Sequence, residues 1–182
     1  MSLQGALAAL LLRGPAHGYE LLSALDAELG PLWATRPSQV YTTLGRLIRD
    51  GLARSERVPQ PNRPDRQVFT LTASGRAFGE SYLFDDGPAD ELVVRLAIAR
   101  MVAPDRFPEL VDVMTEQRSA ALHGLRQVRT DSKRGFQPEA LAVEIRRIEA
   151  EIRWLVTLRD NSAEIVARPP ARTEEDQVEQ FG

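Results

Sequence analysis

The sequence predicts a mainly α-helical chain with one small β-hairpin, arranged as an N-terminal unit of short helices and hairpin followed by a region of longer helices. Three observations carry this. Apolar residues recur at helical spacing through the first fifty residues, the period shifts towards two between Leu52 and Thr72, and helical spacing returns in longer runs beyond residue 88. At 182 residues, with 43% apolar and 27% charged residues, the chain can hold one ordinary domain or two small ones and has a globular composition.

The first helix is read from Leu3, Leu7, Leu10 and Leu11, and the Gly and Pro of "RGPAHG" stop it. A second is expected from about Tyr19 to Leu29, with Leu21, Leu22 and Leu25 inward, Tyr19 packing in the core, and Gly30 and Pro31 at its end. His17 reads as a turn or capping histidine. The third helix takes Thr35 or Arg36 as its cap and Pro37 in its first turn, where a missing N–H costs little. Val40, Leu44, Leu47 and Ile48 then face inward. Gln39, Thr42, Thr43, Arg46 and Arg49 form the opposite side, a polar and basic stripe with no acid until Asp50, and Gly51 suits the stop.

Next, "LARSERV" is a short strand and "RQVFTLT" a better one, with Val68, Thr70 and Thr72 on one side and Phe69 and Leu71 on the other. Between them "PQPNRPDR" holds three prolines and an Asn, so the chain turns and gives the hairpin a stiff, arginine-bearing tip. Thr72 caps a fourth helix running to about Leu83.

The segment "FDDGP" at 84–88 reads as a linker. One helix is expected from about Ala89 to Val102. Another, capped by Asp105 and running to about Arg129, carries Leu110, Val113, Met114, Leu122 and Leu125 as its apolar positions. The longest runs from Pro138 to about Ala167, where Leu141, Ile145, Ile148, Ile152 and Leu155 make a heptad seam that asks for a partner helix. The tail, 168–182, is Pro-rich and then acidic and is expected to be disordered. The expected domains are therefore 1–83, a linker at 84–88, a helical domain at 89–167, and the tail.

The net charge of -3 hides an asymmetry. Between Arg36 and Arg76, eight arginines face only Asp50, Glu56 and Asp65, a local footprint for a polyanion on an otherwise acidic chain. The absence of cysteine removes disulfides, zinc-thiolate sites and thiol nucleophiles, and fits the reducing cytoplasm. The apolar run "ALAALLL" is far shorter than the roughly 20 residues that span a bilayer, so no membrane association is expected. His123 has no metal partner at helical spacing, the acidic pairs lie in linker and tail, and no phosphate loop or hydrolase motif occurs. No catalytic residue, metal ligand or cofactor is expected.

Three short helices followed by a hairpin with a protruding tip form the order of a winged helix-turn-helix. A helix roughly 12 Å across fits the major groove of B-DNA, so its outer side must carry donors and acceptors for bases and phosphates. Ser38, Gln39, Thr42 and Thr43 lie in the N-terminal half of the third helix, where bases are usually read, Tyr41 either packs against neighbouring helices or reaches a phosphate with its hydroxyl, and Arg46 and Arg49 suit phosphates or a guanine. At the tip, Asn62, Arg63 and Arg66 are expected to grip the backbone or enter the minor groove. A different reading makes the winged helix a protein-interaction module whose basic face docks an acidic partner.

The stretches "HGYEL" at 17–21, "VYTTLGRLIRDGLA" at 40–53 and "VFTLTASG" at 68–75 together resemble the PadR family of bacterial transcriptional regulators, in its order and spacing over roughly 1–80. One departure is Thr42, where that family often has Pro. Residues from about 88 to 167 are similar to the long helical domain of one branch of the family. The resemblance implies a homodimer on a palindromic operator, usually repressing. In it the C-terminal helices would pair with each other and with the partner's first helix, which makes Leu3, Leu7, Leu141, Ile145, Ile148, Ile152 and Leu155 the dimerisation candidates. A further reading, separate from the resemblance, has a small hydrophobic effector release the DNA, with Trp33 and Trp154 as the aromatic candidates for a pocket at the dimer interface.

Overall fold

The computed structural model describes residues 2–60, 63–85, 89–131 and 135–168, which divide into two compact units, one ending at Pro104 and the other spanning Asp105–Arg168. In the first unit, α1 (Leu3–Leu10) is buried along most of its length, and the Ser2 hydroxyl caps it by accepting from the Gly5 N–H at 3.1 Å. A 3-10 turn at Leu11–Arg13 leads to α2 (Gly18–Leu29) and then α3 (Pro37–Arg49). Leu7, Leu25, Val40, Leu44 and Leu47 are fully buried, so the inward stripes read from the sequence meet in one core.

The hairpin of β2 (Ala53–Gln60) and β3 (Arg63–Leu71) pairs antiparallel from Ala53 opposite Leu71 outward, with a register irregularity at Val58 and Gln60. Phe69 and Leu71 point into the core and Val68 and Thr70 away from it, as alternation requires. The sheet has a third strand that periodicity did not reveal: β1 (Ala16–His17) pairs with β3, placing Ala16 opposite Phe69 and His17 opposite Val68. Tyr19, expected in the core, is 52% exposed, because it lies off the arc of α2 that Gly18, Leu22, Leu25 and Leu29 bury.

Two further helices complete this unit. Thr72 caps α4 (Ala73–Phe84), its hydroxyl accepting from the Gly75 N–H at 3.1 Å. The helix α5 (Leu92–Val102), read from the sequence as part of the second domain, packs against α1, α2 and α4 in the first. Its Arg95 is 1% exposed and donates to the Leu83 carbonyl at 2.9 Å and to that of Asp85, closing the end of α4, while Arg100 pairs with Glu28 of α2. Of the expected linker, Phe84 ends α4, Asp85 follows, and 86–88 lie outside the described residues, as does the tail beyond Arg168.

The second unit is an antiparallel pair, α6 (Phe107–Asp131) and α7 (Gln137–Asp160), with a short α8 (Ser162–Ala167). Leu122 of α6 forms a core cluster with Ile145 and Ile148 of α7, joined by Leu125 and Ile152. The heptad seam therefore has its partner helix within the same chain. Bridges from Arg126 to Glu149 (2.7 Å) and from Arg159 to Asp112 (2.8 Å) fix the antiparallel register. The single helix expected to Ala167 breaks at Asn161, whose N–H and side-chain amide both turn back onto the last turn of α7, the latter reaching the Thr157 carbonyl at 2.8 Å. Among the described residues no helix is long and apolar enough to cross a membrane.

Candidate nucleic-acid interface

The third helix begins at Arg36, whose extended backbone (φ -89°, ψ 145°) turns into Pro37. The Gln39 side-chain oxygen accepts from the Arg36 N–H at 3.0 Å, satisfying a donor that the helix start would otherwise leave to solvent. At the other end, Gly51 takes φ 70°, a left-handed conformation that lets its N–H reach the Ile48 carbonyl at 3.0 Å and the Leu52 N–H reach Leu47 at 2.8 Å. The helix is thus tightly closed at both ends, and its outer face is presented by a rigid rod.

That face carries Ser38, Gln39, Tyr41, Thr42, Arg46 and Arg49, all exposed, with the half-buried Gly45 among them. Thr43 is a correction to the expected stripe: it is 7% exposed, on the shoulder of the helix beside Val40 and Leu47. Arg46 and Arg49 sit in the last turn, where a cation complements the partial negative charge of the helix end. Neither makes an ion pair among the described residues; the nearest acid in sequence, Asp50, accepts instead from the Gln4 amide at 2.8 Å.

Tyr41 is held from below by the start of α2. Its ring lies so close to Gly18 that a Cβ there would come 2.7 Å from the ring edge, so the pair locks α2 against α3 while leaving Tyr41 49% exposed. The adjoining His17 ties the same point to the sheet: its N–H donates to Glu20 Oε2 at 2.7 Å, and its Nδ1 lies 3.3 Å from the Gln67 carbonyl of β3. Each residue of "HGYEL" save the exposed Tyr19 therefore has a structural task, with Leu21 in the core.

At the hairpin, Asn62 lies outside the described residues, and Arg63 and Arg66 are placed as backbone in β3. Sequence reasoning passed over Arg54 and Arg57 of β2, which are exposed on opposite faces of the hairpin, across from Thr70 and Gln67. Two arginines three residues apart in the strand "ARSERVPQ" were the available signal. Of the effector candidates, Trp33 is half-buried with its carbonyl accepting from the Thr35 hydroxyl, and Trp154 is 37% exposed. A cavity of about 320 Å³ at the end of α1, bounded by Leu10, Arg13, Glu20 and Leu21, is lined by neither tryptophan.

Of the dimerisation candidates, Leu7, Ile145, Ile148 and Leu155 are buried within the chain, and Leu3, Leu141 and Ile152 are half-buried.

The arrangement of three helices, hairpin and fourth helix coincides with a family model, that of the "Transcriptional regulator PadR-like family", matched over residues 7–81. That match spans 75 of the 182 residues. Over 128 residues the chain is 26% identical to the "Negative transcriptional regulator PadR" of Bacillus subtilis, covering 68% of this chain and 70% of that one. The "Probable transcriptional regulator Rv1176c" of Mycobacterium tuberculosis is 34% identical over 77 residues, 42% of this chain and 41% of its own. Among solved structures, that of Bacillus subtilis PadR in complex with operator DNA aligns over 86% of this chain and 97% of its own at 22% identity, with a TM-score of 0.44. The three stretches that carry the resemblance, 17–21, 40–53 and 68–75, fall on the start of α2, on α3 with its exit into β2, and on the junction of β3 with α4.

Proposed function

We propose that this chain is a sequence-specific DNA-binding transcriptional regulator, a dimeric repressor acting in the cytoplasm, whose α3 enters the major groove and whose hairpin grips the adjoining backbone. The observation that carries the reading is the outer face of α3, with Ser38, Gln39, Tyr41, Thr42, Arg46 and Arg49 exposed together and both arginines free of ion pairs among the described residues. Burying two guanidinium groups against phosphate costs less when no internal partner must first be broken.

Gln39 has a double duty in this reading. Its oxygen is committed to the Arg36 N–H, so its amide nitrogen is the group left to face a base or phosphate. Arg46 and Arg49 would meet phosphates or a guanine, and Arg54, Arg57, Arg63 and Arg66 would supply the second grip from the hairpin. The names of the relatives, a negative regulator among them, support repression. Dimerisation would rest on surface that the α6–α7 pairing leaves outward, such as Val143 (65% exposed) and Val156 (48%), together with the half-buried Leu3, Leu141 and Ile152. An effector would bind beside Trp33 in the first unit or beside Trp154 in the second.

Selection of duplexes from a random-sequence pool by the purified protein tests it. Enrichment of an inverted repeat whose half-sites are about one helical turn apart is expected. Recovery of no preferred sequence would overturn the proposal.

A further inference from the structure

Gly45 occupies the middle of the exposed face of α3, the last place where propensity alone would put a glycine. In a helix interior it is destabilising relative to alanine, because it loses more backbone freedom on folding and adds no packing. The structure supplies no internal reason for it. Its backbone does not lie in the left-handed region, and a Cβ built on it meets nothing within 4 Å among the described residues. The contrast with Gly18 and Gly75 is direct, since there an added Cβ would come 2.7 Å from the Tyr41 ring and 1.8 Å from the Leu52 carbonyl.

The surroundings of this gap are specific. Tyr41 and Arg49 lie one turn before and after it, and Ser38, Thr42 and Arg46 flank it, all exposed and none acidic. A helix of about 12 Å diameter only just enters a groove of about 12 Å, so the depth it reaches is set by the side chains at the centre of its leading face. We infer that Gly45 is a close-approach position, where the wall of a DNA groove comes into contact with the backbone of α3 and any side chain would hold it off. The inference rests on the DNA-binding reading and adds a residue that determines how deeply, and so how selectively, the helix seats.

The test compares wild type with Gly45→Ala and Gly45→Leu, using the duplex that the wild-type protein selects from a random pool and an unselected duplex of equal length. Gly45→Ala should melt about 2 to 4 °C higher than wild type, as relief of a helix-interior glycine requires. Its affinity for the selected duplex should nevertheless fall by about tenfold, more for Leu, with a smaller loss on the unselected duplex, which is held through phosphates without deep seating. An alanine variant that is more stable and binds the selected duplex as well as wild type overturns the inference and leaves the DNA-binding reading intact. Equal losses on both duplexes, or a melting temperature below wild type, overturn it as well. If wild type selects no duplex, the DNA-binding reading fails first and this one with it.

Discussion

The hydroxyl of Thr72 donates to the Gly51 carbonyl at 2.8 Å and lies 3.2 Å from that of Leu52, so the residue that ends the hairpin also holds the C-terminal exit of α3. The Thr72 backbone N–H adds a bond to the Leu52 carbonyl at 3.0 Å. Because the same hydroxyl caps α4, one side chain sets the angle between the helix and the hairpin proposed to hold DNA. Thr72→Val should destabilise the fold by about 1 to 2 kcal/mol, and Thr72→Ser should recover most of it, by urea denaturation. Equal losses in the two variants would show that the hydroxyl is not what matters.

Gly75, three residues on, is where α4 touches that junction. A Cβ would lie 1.8 Å from the Leu52 carbonyl, so the backbone of one element must move away from the other. Gly75→Ala is expected to cost about 3 kcal/mol or more, measured by thermal and chemical unfolding, a large effect for one methyl group. A variant of wild-type stability would contradict the close approach.

Gly18→Ala should displace the Tyr41 ring and lower stability by about 1 to 3 kcal/mol. Pairing it with Tyr41→Ala makes a double-mutant cycle. The two changes should be strongly non-additive, since removing the ring removes the collision. Additivity within a few tenths of a kcal/mol would mean that the ring and the α2 start do not constrain one another.

Much of this could be read from residue spacing. The inner faces of α1, α2 and α3 follow their leucines, and Phe69 and Leu71 point inward by simple alternation. What could not be read depends on contacts distant in sequence. β1 is two residues long, too short for any period, and exists because β3 offers Phe69 and Val68 as partners. The heptad seam of α7 announced a partner helix but not its owner, and Leu122 of α6 supplies it. Thr43 sits at the edge of the inward arc of α3, where spacing alone cannot separate a buried hydroxyl from an exposed one. Of the candidate interface, the arginines were visible as composition, whereas the contact of Gly18 with Tyr41 carries no sequence signal beyond two separate residues.

The most direct measurement of the central claim, that the outer face of α3 meets a phosphate backbone, is the salt dependence of binding to the selected duplex for wild type and Arg46→Ala. The account predicts weaker binding by Arg46→Ala, and a log–log slope shallower than wild type by about 0.9 for the one lost phosphate contact. A folded variant with the affinity and slope of wild type would contradict it.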